Sequence, residues 1–428
     1  MADSQSTGIH ARQLFIASCI SLVTTSMVFA TRGAITGPMS SAFHLSNEQI
    51  GLIYGPSFWG FTIAIFICGL LVDWVGMKFV HAMSSIGYLA GLGMVLFAPR
   101  PELADGAVVE GIFKHTGTTM LYAGFLIMGL SQGLVEGVIN PLVATIHKEE
   151  KGKRLNMLHA WWPGGMIIGG LACVALGGAS WQVKLGLLAI PAILSLVLVL
   201  KNAYPATERA ASNVTTGEMI GQMARPLFIL LFVMMIMTAS TELGPDQWFG
   251  KVMGDITGWK ADGILFLCYT AGLMFVLRFF FGGVVHKFSP FLVLTVCSVL
   301  AFVGLFWLGH LNLPAEGQKA STGAILTAFA AATIFGIGKT YFWPTMLGIT
   351  SELFPKGGAL LMNLMGGVGM LAIAVVLPVM GKQLDVGGAG AALRTVSILP
   401  VILFVVFLAL HLGFQAKGGY KAKSIDHD

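Results

Sequence analysis

Five charged residues stand deep inside long apolar runs of this chain: Arg32, Glu136, Glu242, Arg278 and Lys339. Asp246 follows Glu242 by one helical turn, nearer the end of its run. A charge at bilayer depth costs at least about 2.5–3.5 kcal/mol, so it persists where it pairs, binds a ligand or handles protons. Gln132, Glu136 and Asn140 recur at i, i+4 and i+8, which stacks an amide, a carboxyl and a second amide on one helix face. Such a face can hydrogen-bond a hydroxylated ligand, and its carboxyl can take up a proton. Trp59, Trp162, Trp248 and Trp343 offer rings to apolar C–H faces, and Gln247 and Asn363 add further amides. His159 and Trp162 share a face at i, i+3 ahead of Pro163-Gly164-Gly165, a run that predicts a weakened or bent helix. Lys339, Trp343 and Leu347 repeat the stacked plan later in the chain.

The elements that carry these residues are membrane spans. The chain has 428 residues, of which 56% are hydrophobic and 11% charged, and its mean hydropathy is +0.81. A soluble globular protein carries about 25% charged residues, so there is too little charge here to coat a soluble core. Twelve runs reach the roughly 20 apolar residues a spanning helix needs. They are 14–38, 51–73, 79–98, 119–146, 157–178, 182–201, 227–250, 263–286, 289–311, 323–349, 357–380 and 391–415. The long polar stretch 202–226 follows the sixth run. It predicts a six-helix half over 1–201, a central cytoplasmic loop, and a second six-helix half over 227–428. With both termini cytoplasmic, the inner loops and tails hold 14 Lys and Arg against 8 outside, which sets the expected orientation. The net charge of +5 is then a matter of topology, not of nucleic-acid binding.

Other classes find no support. The five cysteines all lie in apolar runs without CxxC spacing, so neither a disulfide framework nor a metal site is expected. There is no Gly-rich nucleotide loop and no HExxH, and the loops are too short for a catalytic domain. The expectation is a membrane protein that is not an enzyme and needs no cofactor.

Residues 69–78, GLLVDWVGMK, fit G-x-L-x-D-x-x-G-x-K with Gly69, Leu71, Asp73, Gly76 and Lys78. Lying between the second and third of twelve spans, this resembles the signature loop of the major facilitator superfamily. Gly76 would permit a tight turn, Asp73 would sit against helix ends of its own half, and the four residues Gly69, Asp73, Gly76 and Lys78 would form a gating element. The counterpart FGGVVHKFSP at 281–290 keeps only a trace, with His286 in place of the acid. The resemblance implies an all-α fold of two pseudo-symmetric halves, with spans 1, 4, 7 and 10 around a central cavity. Four of the five deep charges fall on those spans, as cation, anion, anion and cation in chain order. Arg32 is therefore expected to meet Glu136, and Lys339 to meet Glu242, with Asp246 a competitor for Lys339.

Residues 133–163, GLVEGVINPLVATIHKEEKGKRLNMLHAWWP, are similar to the fucose/glucose–galactose cation symporters in E-x-x-x-N-P and in the following R-L-N. Glu136, Asn140, Pro141, Arg154, Leu155 and Asn156 match. The segment YFWPTMLGITSELF…MNLMGGVGM over 341–370 also has that family's look in helices 10 and 11. The resemblance implies a sugar- and proton-handling role for Glu136. His159 stands where the family has a sugar-binding glutamine. The family's acid in the first span falls near Gly33, and this chain has Arg32 beside it instead.

The expected function is secondary active transport, with symport of a monosaccharide or related polyol by alternating access. The coupling cation is a proton, or else sodium. The alternative is a transporter of an organic anion or sugar acid, because Arg32, Arg278 and Lys339 outnumber Glu136 and Glu242. The expected binding residues are Arg32, Gln132, Glu136, Asn140, His159, Trp162, Glu242, Gln247, Arg278, Lys339, Trp343 and Asn363, with Glu136 and Glu242 coupling. The expected setting is a monomer in a bacterial inner membrane, with lipid and a small molecule as partners and no nucleic acid.

Overall fold

The computed structural model describes residues 10–45, 47–103, 107–211, 214–258, 263–282, 287–311 and 320–423. Among these, eleven helices are long and apolar enough to cross a membrane. They are α1 (Ala11–Phe43), α2 (Gln49–Val75), α3 (Met77–Leu96), α4 (Thr116–Ile146), α5 (Lys148–Ala175), α6 (Trp181–Lys201), α7 (Pro226–Asp246), α9 (Pro290–Leu308), α10 (Thr322–Leu353), α11 (Pro355–Ile373) and α12 (Val386–Ala416). A shorter apolar helix, α8 (Leu265–Phe280), completes the order. Each of the twelve expected spans overlaps one of these helices. Large apolar side chains such as Leu326 and Val375 lie 64% and 65% exposed, as lipid-facing positions do.

Three details differ from the expectation. The helix of α10 stops at Lys339 and restarts at Phe342, so Lys339 and Trp343 do not share one continuous face. The helix carrying α7 runs on to Thr257, well past its apolar part. Between α11 and α12 the helical backbone continues instead of forming a loop, broken at Gly388 with φ 69° and ψ −173°. Helix runs from Lys151 to Ala175 with Pro163 inside it. His286 lies outside the described residues.

The chain gathers into two compact units. One holds Met1–Glu149, Gly164–Ile220 and Lys356–Gly367; the other holds Glu150–Pro163, Gly221–Pro355 and Val368–Asp428. Both α5 and α11 thus change unit along their length, α5 at the Pro163–Gly164 step that the sequence marks as weak.

In the first unit α4 packs on α2 and α3, and α6 packs on α1 and α3. Lipid tails are as apolar as leucine, so close backbone approach must hold such helices together. Gly91 of α3 and Gly124 of α4 supply it reciprocally. A Cβ on Gly91 would lie 2.7 Å from the Gly124 carbonyl, and one on Gly124 would lie 2.8 Å from the Gly91 carbonyl. Polar side chains in these helices satisfy themselves locally: Ser18, Ser21, Thr25 and Ser26 each donate to the carbonyl one turn back. In the second unit α9 packs on α10 and α7 on α8, and Trp161 of α5 meets Phe275 of α8 edge-on at 5.4 Å.

Candidate functional site

The deep charges differ in company. In the second unit all four are paired. Arg278 donates from Nη2 to Glu242 Oε1 at 2.7 Å, with both side chains 2% exposed. Lys339 pairs with Asp246, the competitor, and not with Glu242. The reason lies in the break of α10. Ending a helix at Lys339 frees the Thr340 carbonyl, and restarting it frees the Trp343 N–H. Arg278 Nε donates to that carbonyl, and Glu242 Oε2 accepts that N–H at 3.2 Å. Arg278 Nη1 also donates to the His159 carbonyl at 3.0 Å, and Tyr341 Oη to the Leu277 carbonyl at 2.8 Å. Glu242 is thus engaged where Lys339 was expected to reach it.

The first unit is the reverse. Glu136 is 3% exposed, and its carboxylate Oε2 accepts from Asn140 Nδ2 at 3.0 Å. Asn140 also donates to the Glu136 carbonyl at 2.9 Å, the i, i+4 contact that the sequence spacing predicts. Among the described residues no cation pairs with Glu136, so the expected Arg32–Glu136 pair is absent from this structure. Arg32 is 5% exposed, and its guanidinium carbon lies 4.6 Å, 5.7 Å and 5.2 Å from the ring centroids of Phe29, Tyr54 and Phe58. Thr36, one turn on, donates to the Arg32 carbonyl at 2.7 Å and meets Tyr54 Oη at 3.2 Å. Phe29 at i−3 was readable from the sequence; Tyr54 and Phe58, from another helix, were not.

Asn363 belongs to this unit as well. Its Nδ2 donates to the carbonyl of Gly137, next to Glu136, at 3.1 Å. Gln132, 3% exposed, lies one turn before Glu136 on the stacked face. His159, Trp162 and Trp343 are buried in the second unit. Gln247 follows Asp246 on the same helix, and its side chain lies outside the described set. Trp59 is 42% exposed and does not join a buried constellation.

The loop motif is built as its residue types require. Gly76 ends α2 and opens α3 at φ 85°, a conformation that glycine adopts without strain. A Cβ on Gly69 would stand 3.2 Å from the Leu360 Cα and 3.0 Å from the Asn363 Cβ, so the motif's first glycine lets α11 approach. Asp73 accepts from the Thr207 hydroxyl, and Lys78 Nζ donates to the Leu200 carbonyl at 3.1 Å near the end of α6. Three residues before Thr207, Tyr204 reaches His81 Nδ1 at 2.9 Å, while His81 Nε2 meets Ser21 at 2.7 Å. The central segment is therefore fastened to the first unit at two points, neither visible in the sequence. Among the described residues, no group of His, Cys, Asp and Glu is arranged to hold a metal ion.

The sequence profile of the Major Facilitator Superfamily matches residues 14–357. The chain belongs to the Major Facilitator Superfamily. It is a membrane transporter and not an enzyme. Solved superfamily structures share the fold. An asparagine-to-alanine variant of the E. coli fucose:proton symporter FucP is 14% identical, with a TM-score of 0.72 over 92% of this chain and 98% of that one. The proton:xylose symporter XylE bound to 6-bromo-6-deoxy-D-glucose is 13% identical, with a TM-score of 0.75 over 95% and 96%. The nucleoside transporter NupG is 14% identical, with a TM-score of 0.61 over 94% and 99%. No curated protein matches the sequence.

Proposed function

We propose that this transporter couples proton entry to uptake of a monosaccharide or related polyol by alternating access, with Glu136 as the proton-carrying group. The carrying observation is the isolation of that carboxyl. It is buried, held by Asn140, and without a cation among the described residues. A carboxyl so placed can bind and release a proton without breaking an ion pair. Glu242 is occupied by Arg278 and by the Trp343 backbone, and its titration would disrupt both. The likeness to FucP and XylE, described as proton symporters of fucose and xylose, supports the substrate class. In this reading the protein acts as a monomer in a bacterial inner membrane, with both termini cytoplasmic and the chain divided into two six-helix halves.

Purified protein in liposomes should accumulate a monosaccharide only when the outside is acidic. Glu136→Gln should abolish that accumulation and keep gradient-free exchange, because the amide still hydrogen-bonds but does not titrate. Unchanged pH-driven accumulation in the variant would remove Glu136 from coupling.

A further inference from the structure

Arg32 is a buried cation without a carboxylate partner among the described residues, in a protein whose Arg278 and Lys339 each have one. Among the described residues its Nη1 has no hydrogen-bond acceptor. The rings of Phe29, Tyr54 and Phe58 compensate part of the charge, and they do not supply an oxygen to its N–H groups. The surrounding shell is fixed: Tyr54 is tied to Thr36 and meets Phe125 edge-on at 4.9 Å, and Phe29 meets Phe58 edge-on at 6.0 Å. A guanidinium held this way is presented, not buried for packing alone.

Another unmatched atom of the same unit shares its side of the account. Among the described residues, Gln132 Nε2 is a buried donor with no acceptor. Phe125, which contacts the shell of Arg32, lies on one face of α4 with Gln132 and Glu136 at i+7 and i+11. Gly33, beside Arg32, has open space where a side chain would stand. Two donors, one of them cationic, complement a ligand that carries a carboxylate and hydroxyls.

We propose that Arg32 is the docking point for an acidic group of the substrate, so that the monosaccharide carried is a sugar acid such as a hexuronate. A carboxylate would take the planar fork of the guanidinium, and Gln132 would donate to a ring oxygen or hydroxyl. This assignment rests on the symport reading above and adds the charge of the substrate to it.

The test is competition in liposomes holding the full chain, with labelled D-glucuronate and labelled D-glucose as tracers. Unlabelled D-glucuronate, D-galacturonate, D-glucose and D-galactose are the competitors. Hexuronates should compete at concentrations at least tenfold lower than the matched hexoses. Arg32→Gln should raise the half-competing hexuronate concentration at least tenfold and leave the hexose value within twofold, with Arg32→Lys intermediate. Equal competition by acids and hexoses in the unaltered protein overturns the proposal, whatever the variants do. So does an Arg32→Gln effect of the same size on both classes. Proton-driven hexose uptake that depends on Glu136 but shows no preference for the acid keeps the symport reading and removes this one. Hexuronate exchange lost in Arg32→Gln but indifferent to a pH gradient does the opposite. No uptake or competition by either class removes both.

Discussion

Glu242 divides its carboxylate between Arg278 and a backbone, accepting from Nη2 at 2.7 Å with one oxygen and from the Trp343 N–H at 3.2 Å with the other. Arg278 closes the opposite side of the same helix break by donating to the Thr340 carbonyl. One ion pair thus caps both ends of an interruption in α10 that would otherwise leave buried backbone groups unsatisfied.

Breaking this pair should cost more than removing it. Glu242→Gln or Arg278→Gln strands a buried charge, which typically costs about 3–5 kcal/mol, whereas the double substitution strands none. Thermal unfolding in detergent should rank the double variant above the worse single. A double variant at or below that single would show that capping, not charge pairing, dominates.

Partner choice for Lys339 is testable by a double-mutant cycle. Lys339→Met should couple to Asp246→Asn by about 0.5–3 kcal/mol, the range for residues in direct contact, and far less to Glu242→Gln. Equal coupling to both acids would mean that Lys339 is shared.

Asp73→Asn and Thr207→Val remove the two ends of one contact and should act alike. Both are expected to lower the initial uptake rate several-fold while substrate affinity stays within about twofold, since the contact biases a conformational equilibrium and does not touch ligand. Lost binding with an unchanged rate in either variant would contradict a gating role for the loop.

Burial pushes the Tyr204 phenol above its ordinary value of 10. The folded chain then keeps a proton that the unfolded chain gives up first. The stability Tyr204 contributes is whole below pH 10 and is lost as pH rises through the shifted value. Tyr204→Phe should cost about 0.5–1.5 kcal/mol at pH 8, one buried hydrogen bond to His81. In unfolding curves the gap from the unaltered protein should stay constant to about pH 10 and narrow above it. A gap that varies between pH 7 and 9 would place another group in control.

The twelve spans were legible because twenty apolar residues in a row have few other uses, and Glu136 with Asn140 because helical periodicity is local. The partners of the charges were not. Pairing Arg32 with Glu136 and Lys339 with Glu242 assumed that opposite charges on expected neighbours attract most. That ignored the backbone, since a break after Lys339 created a carbonyl and an N–H that claimed Arg278 and Glu242 first. The break had a signal four residues on, since Pro344 has no N–H to give the Thr340 carbonyl, but the partners that would claim the freed groups left none. Arg32 was readable as a departure from the symporter pattern at Gly33, yet two of its three rings, Tyr54 and Phe58, came from more than twenty positions away. The central segment read as a polar linker, because a hydroxyl on an aspartate and a phenol on a histidine leave no periodic trace.

The fastening of Thr207 to Asp73 and of Tyr204 to His81 decides where the polypeptide tolerates being cut. A gene split after Lys201 would deliver the later fragment with the fittings for Asp73 and His81 attached to its front. A split after Ile220, where the stretch Gly164–Ile220 of the first unit ends, keeps them on the fragment that carries Asp73 and His81 and leaves Gly221–Arg225 as the leader before Pro226. Two plasmids divided at that later point should yield fragments that meet as the intact chain does, and the junction would be the natural place to insert a protease site or a fluorescent reporter.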